Sequence, residues 1–272
     1  MDPISRRACL AGSASVLAAL GLTSVVARPA RAATISPDAG ADPDFPAQSA
    51  QLVREMVGAS HGNEARVREL LKQAPRLANA SWDWGFGDWE TALGAASHVG
   101  NRSIASLLID HGARPDLFTL AMLGHLDALR AAIEAAPGIE RTKGPHGITL
   151  MRHARAGGEQ AATVVEYLAS LPGSDLPYES IPLDESARDR YLGNYRYGPG
   201  DTEIIEIRYQ QKQAVLSLSR AGDSWRGLTH LGDHTFHPVG APEVRVRFTL
   251  NSSIAAGLVI TAPMPLAEAS RI

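Results

Sequence analysis

The chain has 272 residues, a formal net charge of −3 and 44% hydrophobic residues. This composition is typical of a globular protein with a sizeable core, and the length is enough for two ordinary domains. Basic residues form no block along the sequence, so we do not expect nucleic acid as a partner.

The N-terminal segment has the features of an export signal. Arg6 and Arg7 precede a weakly apolar run rich in Ala, Gly and Ser, and residues 30–32 (Ala-Arg-Ala) offer a small-residue cleavage site. The segment resembles a bacterial twin-arginine (Tat) signal peptide, which implies export of the folded protein to the periplasm or beyond. We expect residues 1–32 to be removed. The alternative is an uncleaved membrane anchor, because the apolar run is about long enough to span a bilayer.

Cleavage would also remove Cys9, the single cysteine of the chain. The mature chain would then have no disulfide and no thiol chemistry. Its formal net charge would be −6, because the segment removed carries four arginines and one aspartate. We expect no stable membrane span after cleavage. Residues 33–48 are rich in Pro, Asp and Ala and predict a flexible tether.

From about residue 50 the apolar pattern becomes helical and repetitive. Four segments begin with a glycine that is followed by apolar residues on one helix face. These glycines are Gly62, Gly100, Gly124 and Gly158, with spacings of 38, 24 and 34 residues. Glycine tolerates the backbone angles that reverse one helix into the next, so the pattern predicts helix pairs joined by tight turns.

The second of these segments, residues 90–116, reads ETALGAASHVGNRSIASLLIDHGARPD. The residues that carry its pattern are Thr91, Leu93, Ala96, Gly100, Ile104, Leu107, Leu108, Gly112, Ala113 and Asp116. The segment closely resembles an ankyrin repeat, and residues 144–158 keep the same spacing. The resemblance covers about residues 48–172. It implies about four ankyrin repeats over residues 49–173, with Thr91 capping the first helix of its repeat.

After residues 174–186, a segment rich in Pro, Ser and acids that predicts a linker, the pattern alternates between apolar and polar residues. In VRVRFTL, residues 244–250, the two valines and the phenylalanine share one face. Similar runs at residues 202–210, 213–220 and 255–262 predict further strands. The spacing favours a small antiparallel barrel or curved sheet over residues 187–272.

Three segments of this region carry a second resemblance: RYLGNYRYGPG (190–200), VRFTLNSSIAAGLVI (246–260) and the closing ASRI. They resemble the small lipocalin-like β domain that follows serine β-lactamase-type hydrolases. That domain is accessory in its family, and the hydrolase domain is absent here, so the resemblance implies no catalysis. The expected fold class is therefore α+β in two domains, an α-helical ankyrin solenoid followed by a small antiparallel β-barrel or curved sheet.

No set of catalytic or metal-binding residues stands out in the sequence. GASHG, residues 58–62, matches the G-x-S-x-G motif by letter, but Ser60 is expected at a helix end and not on a strand-to-helix turn. His230, His234 and His237 fall near a predicted turn without a recognised zinc spacing. Structural hydrogen bonding is expected for the other six histidines, His61, His98, His111, His125, His146 and His153. We therefore expect no catalytic residue, no metal and no cofactor.

SWDWGFGDW, residues 81–89, concentrates four large aromatic residues, Trp82, Trp84, Phe86 and Trp89. In an ankyrin stack this segment would form a projecting β-hairpin finger. The four rings are candidates for partner binding, because tryptophan is enriched among residues that dominate binding energy. The alternative is that they cover the core, because large apolar side chains are mostly buried. In an extended segment the first three would share one face.

These observations favour a non-enzymatic, protein-binding adaptor in the bacterial periplasm that acts through its ankyrin face on an unidentified protein partner. The alternative is capture of a small molecule or cell-wall ligand in the mouth of the C-terminal β domain. A hydrolase is a third hypothesis, which the absence of a catalytic set disfavours.

Overall fold

The computed structural model describes residues 46–272. The predicted signal segment, residues 1–32, and most of the predicted tether, residues 33–48, lie outside the described residues. The described residues belong to one compact unit. Within the described range, no helix is long and apolar enough to cross a membrane.

The first part of the described chain is helical, and its helices pair in chain order, α1 with α2, α3 with α4, α5 with α6 and α7 with α8. Short 3₁₀ turns connect several of them. The helices are α1 Ala50–Ala59, α2 Glu64–Gln73, α3 Ala92–His98, α4 Arg102–Asp110, α5 Leu117–Leu123, α6 Leu126–Ala135, α7 Leu150–Ala156, α8 Ala162–Ala169 and α9 Glu185–Arg188.

Side-chain caps fix where five of these helices begin. The capping residues are Asn63, Thr91, Asn101, Asp116 and Thr149, and each accepts a hydrogen bond from the backbone N–H three residues further on. A cap of this kind gives one of the unpaired N–H groups of the first helical turn a partner. The cap predicted at Thr91 is confirmed.

Two of the glycines identified in the sequence are required where helices meet. Gly100 and Gly124 have φ angles of 73° and 78°, in the left-handed region that favours glycine. A Cβ atom at Gly100 would lie 2.1 Å from the carbonyl oxygen of Ala156, and one at Gly124 would lie 2.2 Å from that of Gln160. Because glycine has no side chain, the backbone at Ala156 and Gln160 can approach these turns closely.

The helices do not form the predicted ankyrin solenoid, and that part of the expected fold class is wrong. In a solenoid each repeat contacts only its neighbours. Here α3 contacts α7, two helix pairs further on, as well as α1 and α5. Arg102, next to the Gly100 turn, donates hydrogen bonds to the carbonyls of Met122 and Gly157, at the ends of α5 and α7. The helix pairs therefore gather around α3 instead of stacking in a row.

The second part of the chain is a closed antiparallel barrel, with the strand order β10-β3-β4-β5-β6-β7-β8-β9. It is compatible with the predicted small barrel or curved sheet. Strands β1 and β2 lie apart, as an antiparallel hairpin within the helical part. The strands are β1 Ser81–Asp83, β2 Trp89–Thr91, β3 Gly193–Arg196, β4 Ile204–Gln210, β5 Val215–Arg220, β6 Arg226–Gly232, β7 Thr235–Pro238, β8 Arg245–Asn251, β9 Ile254–Ala262 and β10 Met264–Arg271.

Apolar side chains fill the interior of the barrel. On β8, Val246 and Phe248 are buried, whereas Arg245 and Arg247 are exposed, as the alternation in the sequence predicts. Tyr191, Tyr195, Ile207, Leu218, Phe236 and Leu258 belong to the same buried cluster. Ser217 lies between two inward-facing leucines of β5 and is nevertheless buried, because other parts of the chain cover the outside of this strand.

The expected domain boundaries stay a prediction, but the two parts are in contact. Helices and barrel belong to the same compact unit. Phe86, from the β1–β2 hairpin, packs against the buried cluster of the barrel. The predicted linker contacts the barrel as well, because the backbone N–H of Ile181 donates to the carbonyl of His230. The sequence shows the change of pattern between the two parts but not the hairpin that joins them.

The Gly100 turn gives a direct test of the helix arrangement. We expect Gly100→Ala to lower the free energy of unfolding by about 3 kcal/mol, because it adds both a left-handed backbone cost and a clash with Ala156. Gly112→Ala is the matched control, since Gly112 has a φ of 87° and no atom near its absent Cβ. The control should cost only about 1 kcal/mol. Equal losses in urea denaturation would contradict the close approach of Ala156.

Candidate metal centre

The β1–β2 hairpin, here called the aromatic finger (residues 81–91), leads from the helical part toward the barrel. Its strands pair antiparallel, with Trp82 opposite Glu90. The Asp83 carboxylate accepts hydrogen bonds from the backbone N–H groups of Gly85 and Gly87. Such a bond pattern stabilises a tight turn, and this turn places the following residues, 88–90, between the two parts of the fold.

The four aromatic residues of the finger lie in three different environments. Trp82 and Trp84 pack against the core of the helical part, and Phe86 packs against that of the barrel. Trp89 is 61% exposed. Three of the candidate partner-binding rings are thus in contact with the core, as expected if they cover it, and one faces solvent. The Nε1–H group of Trp84 donates to Glu90 at 2.7 Å.

Next to the finger, three histidines converge on one glutamate. The histidine–glutamate cluster consists of His61, Glu90, His98 and His146, and one potential ligand atom of each lies within 4.8 Å of the others. His61 follows α1, Glu90 lies on β2, His98 ends α3 and His146 lies in the 3₁₀ turn before α7. Four separate segments therefore supply one site.

The distances within the cluster are short. The Nε2 atom of His61 is 3.5 Å from Oε2 of Glu90. The Nε2 atoms of His98 and His146 are 3.0 Å and 3.4 Å from Oε1. The glutamate side chain is fully buried, and the side chains of His98, His146 and His61 are 12%, 24% and 32% exposed. The site is therefore closed behind the carboxylate and open near two of the histidines.

Hydrogen bonds on the far side of two rings fix how these rings present Nε2. The Nδ1 atom of His61 lies 3.1 Å from the carbonyl oxygen of Gly58, and Nδ1 of His146 lies 2.7 Å from Oδ2 of Asp88. A proton on each Nδ1 donates to these oxygens and directs Nε2 toward Glu90. Metal-binding histidines are held in the same way, by a carboxylate or a backbone carbonyl.

Asp88 connects the cluster to the barrel. Its carboxylate accepts hydrogen bonds from the backbone N–H of His146 at 2.8 Å, from Nδ1 of the same residue and from the guanidinium of Arg226. Arg226, on β6, also donates to the carbonyls of Trp84 at 2.5 Å and Val239 at 3.2 Å. The position of His146 is thus set by contacts with both the finger and the barrel.

Two buried atoms of the cluster have no hydrogen-bond partner. These are Oε1 of Glu90 and Nε2 of His98, although they lie only 3.0 Å apart. The separation is short enough for a hydrogen bond, but the angles are not suitable. Buried polar atoms usually have a partner, and an exception calls for an explanation. An ion bound to both atoms would give each of them a partner.

The charges in the cluster shift the pKa values of its members. Burial raises the pKa of Glu90, but contacts with His146 and His98 more than offset this effect and lower it to about 2. Burial lowers the pKa of His146, but its hydrogen bond to Asp88 and the nearby charge of Glu90 raise this pKa to about 9. Without a metal, His146 is therefore protonated near neutral pH. The carboxylates of Glu90 and Asp88, whose pKa values are both lowered, are ionised.

The other candidate residues lie outside the cluster. Ser60 is fully buried, and its hydroxyl donates to the carbonyl of Met56 at 2.7 Å. His230 and His237 have Nδ1 near the carbonyls of Ile181 and Pro238. His234 pairs with the Tyr191 hydroxyl through Nδ1. His153 lies nearer, with its ring centroid 6.5 Å from that of His98, but it is not one of the four converging residues.

This grouping is not evident from the sequence. The histidines were expected to have separate structural roles, and no role was expected for Glu90. The four residues are separated by 29, 8 and 48 positions, and no local metal-binding motif has such spacings. The only local signal is a glutamate within an aromatic hairpin, which does not by itself indicate burial.

Among the cavities that adjoin the barrel, two are relevant to ligand binding. The larger, of about 690 Å³, lies between the helical part and strands β5 and β6, and His61 and His146 form part of its lining. The smaller, of about 370 Å³, is lined by Leu216, Leu228 and Phe236 of the barrel and by Ile181 of the preceding segment. Both volumes are large enough for a small molecule.

Comparison with known proteins does not assign a family. No protein-family model matches the chain, and no curated protein matches it.

Two substitutions in the finger test how much its aromatic residues contribute to stability. We expect Trp84→Ala to lower the free energy of unfolding by about 3 kcal/mol, because it removes core contacts and the hydrogen bond to Glu90. Trp89→Ala should change it by less than about 0.5 kcal/mol, because that ring is exposed. Both values can be measured by urea denaturation. A cost for Trp89→Ala as large as that for Trp84→Ala would contradict the described arrangement.

Proposed function

We propose that this protein binds one divalent transition-metal ion through the histidine–glutamate cluster. The observation that carries the proposal is the convergence of four potential ligand atoms, each within 4.8 Å of the others, from four segments of the chain. Three imidazoles and a carboxylate are a common donor set for such ions.

The distances support this proposal. In a tetrahedral zinc site, with metal–ligand bonds of about 2.0–2.1 Å, neighbouring ligand atoms lie about 3.3 Å apart. Oε1 of Glu90 lies 3.0 and 3.4 Å from Nε2 of His98 and His146, close to this spacing, and Nε2 of His61 lies 3.5 Å from the other oxygen, Oε2. An ion would also give partners to Oε1 of Glu90 and Nε2 of His98.

The surroundings of the cluster support the same proposal. Asp88 and the carbonyl of Gly58 hold two of the rings with Nε2 directed inward, which reduces the loss of side-chain freedom on binding. On binding, the ion would replace the Nε2 proton of His146, because a histidine ligand must be neutral.

The twin-arginine segment supports a site of action outside the cytoplasm. Imidazole and carboxylate ligands suit an oxidising compartment, where thiolates would be oxidised. Among the ions that such ligands bind, Zn²⁺, Cu²⁺, Fe²⁺ and Ni²⁺ are all compatible with this donor set. Zn²⁺ and the spectroscopic probe Co²⁺ are therefore suitable for a first test.

We expect the purified protein to bind one Zn²⁺ per chain in isothermal titration calorimetry, and Co²⁺ to give visible absorption bands. Bound metal should raise the melting temperature, because it binds the folded state. His98→Ala should weaken binding at least 100-fold, because it removes a ligand from the closed side of the site. His125→Ala is the control, since His125 lies in the helical part outside the cluster, and its affinity should equal that of the wild type.

The alternative to a metal site is a buried ion-pair network, in which protonated His146 neutralises part of the carboxylate charge. In that case the wild type would bind no Zn²⁺ in the micromolar range. His98→Ala would then reduce stability without a change in metal affinity. Binding of equal strength in wild type and in His98→Ala would also contradict the proposal, because the metal would then be held elsewhere.

A protein-binding role and ligand binding at the mouth of the barrel stay predictions from the sequence. A protein partner would contact Trp89, which is exposed on the finger. A small ligand would bind in the cavity of about 370 Å³, which Ile181 closes on one side. The metal proposal stands on the convergence of the four side chains and does not depend on either.

A further inference from the structure

The larger cavity, of about 690 Å³, meets the histidine–glutamate cluster at its open side. Of the four cluster residues, the two with the most exposed side chains, His61 and His146, line the cavity. Glu90 and His98 close the opposite side, where the glutamate is fully buried. An ion held by the cluster would therefore be reached from this cavity and not from the helical core.

The charges around the site favour a negatively charged ligand. With a divalent ion and three neutral imidazoles, the two carboxylates of Asp88 and Glu90 and the guanidinium of Arg226 leave one net positive charge. An uncompensated charge in a largely buried place is unfavourable, and an anion from the cavity would neutralise it.

The position of that anion follows from the contacts of Arg226. Its two terminal nitrogens already donate to Asp88, Val239 and the carbonyl of Trp84. Three of the five N–H groups of the guanidinium are therefore used within the protein. The metal can take a fifth ligand, and it would be the more strongly charged group on this side.

The side chains that line the cavity indicate the chemical character of the rest of the ligand. Trp84 provides apolar surface on the side of the finger, and Val215, Trp225 and Val239 provide it on the barrel side. Polar side chains, Gln210, Gln213 and Ser224, lie among them. A volume of this size is typical of a site for a small molecule.

We infer that the cavity binds a small carboxylate with an apolar body, whose carboxylate completes the coordination of the metal. The inference rests on the proposed metal site and adds the class of molecule that this site would bind. The carboxylate oxygen would bind the ion between His61 and His146, and the apolar body would lie against Trp84 and Trp225.

Three probes separate the contributions of the carboxylate and of the apolar body to binding: octanoate, acetate and octan-1-ol. With Co²⁺ in the cluster, octanoate should bind at least tenfold more tightly than either of the others and should change the visible absorption of the ion. Its affinity for the metal-loaded protein should also exceed that for the metal-free protein at least tenfold. Calorimetry and absorption spectroscopy measure these effects.

Two tryptophan variants test the place of the apolar body. Trp225→Ala should weaken octanoate binding roughly tenfold, with unchanged Zn²⁺ affinity, because a wall of the cavity is lost. Trp89→Ala is the matched control, since Trp89 is exposed outside this cavity, and should leave both affinities unchanged.

The outcomes distinguish the two proposals. If Zn²⁺ and Co²⁺ bind but octanoate binds equally with and without metal, or leaves the Co²⁺ spectrum unchanged, the inference is overturned and the metal site stands. Equal effects of Trp225→Ala and Trp89→Ala on octanoate binding would also overturn it. If the protein binds no metal, both proposals fail together.

Discussion

The carboxylate of Asp88 is the contact on which the arrangement of this protein depends. The residue is 4% exposed, and a buried carboxylate is costly unless donors surround it. Here the donors come from the turn before α7 and from strand β6, while Asp88 itself belongs to the finger. Gly240 lies against the same carboxylate, where a Cβ atom would be 2.5 Å from it. One charged group therefore joins the helical part to the barrel.

The same contact organises the candidate metal centre. His146 has a φ of 59°, a conformation that costs a residue other than glycine roughly 1–2 kcal/mol. The hydrogen bond from its backbone N–H to Asp88 helps to offset this cost and directs the ring toward Glu90. A contact that holds two parts of the fold together thus also sets the orientation of one ligand. The geometry of the site and the packing of helices on barrel are therefore physically linked.

Local features of this structure could be predicted from sequence, and long-range features could not. The cap at Thr91, the left-handed turns at Gly100 and Gly124 and the alternation on β8 follow from a few neighbouring residues. The resemblance to ankyrin repeats suggested a stack, but the contact of α3 with α7 depends on packing between residues some 50 positions apart. The cluster was missed for the same reason, because its four residues meet only in the folded chain. The larger cavity lies between two parts that the sequence presented as separate domains.

The pairing of Asp88 with Arg226, 138 positions further along the chain, has a consequence for the order of folding. The helix pairs are built mainly from local contacts, which form early, whereas contacts of high sequence separation require closure of a long loop and form late. Asp88 has all of its donors only when both the turn before α7 and strand β6 are in place. We therefore expect the four ligands to come together late in folding. Helical structure should form before the protein can bind metal. The ion would then stabilise the folded protein and would not contribute to the folding nucleus.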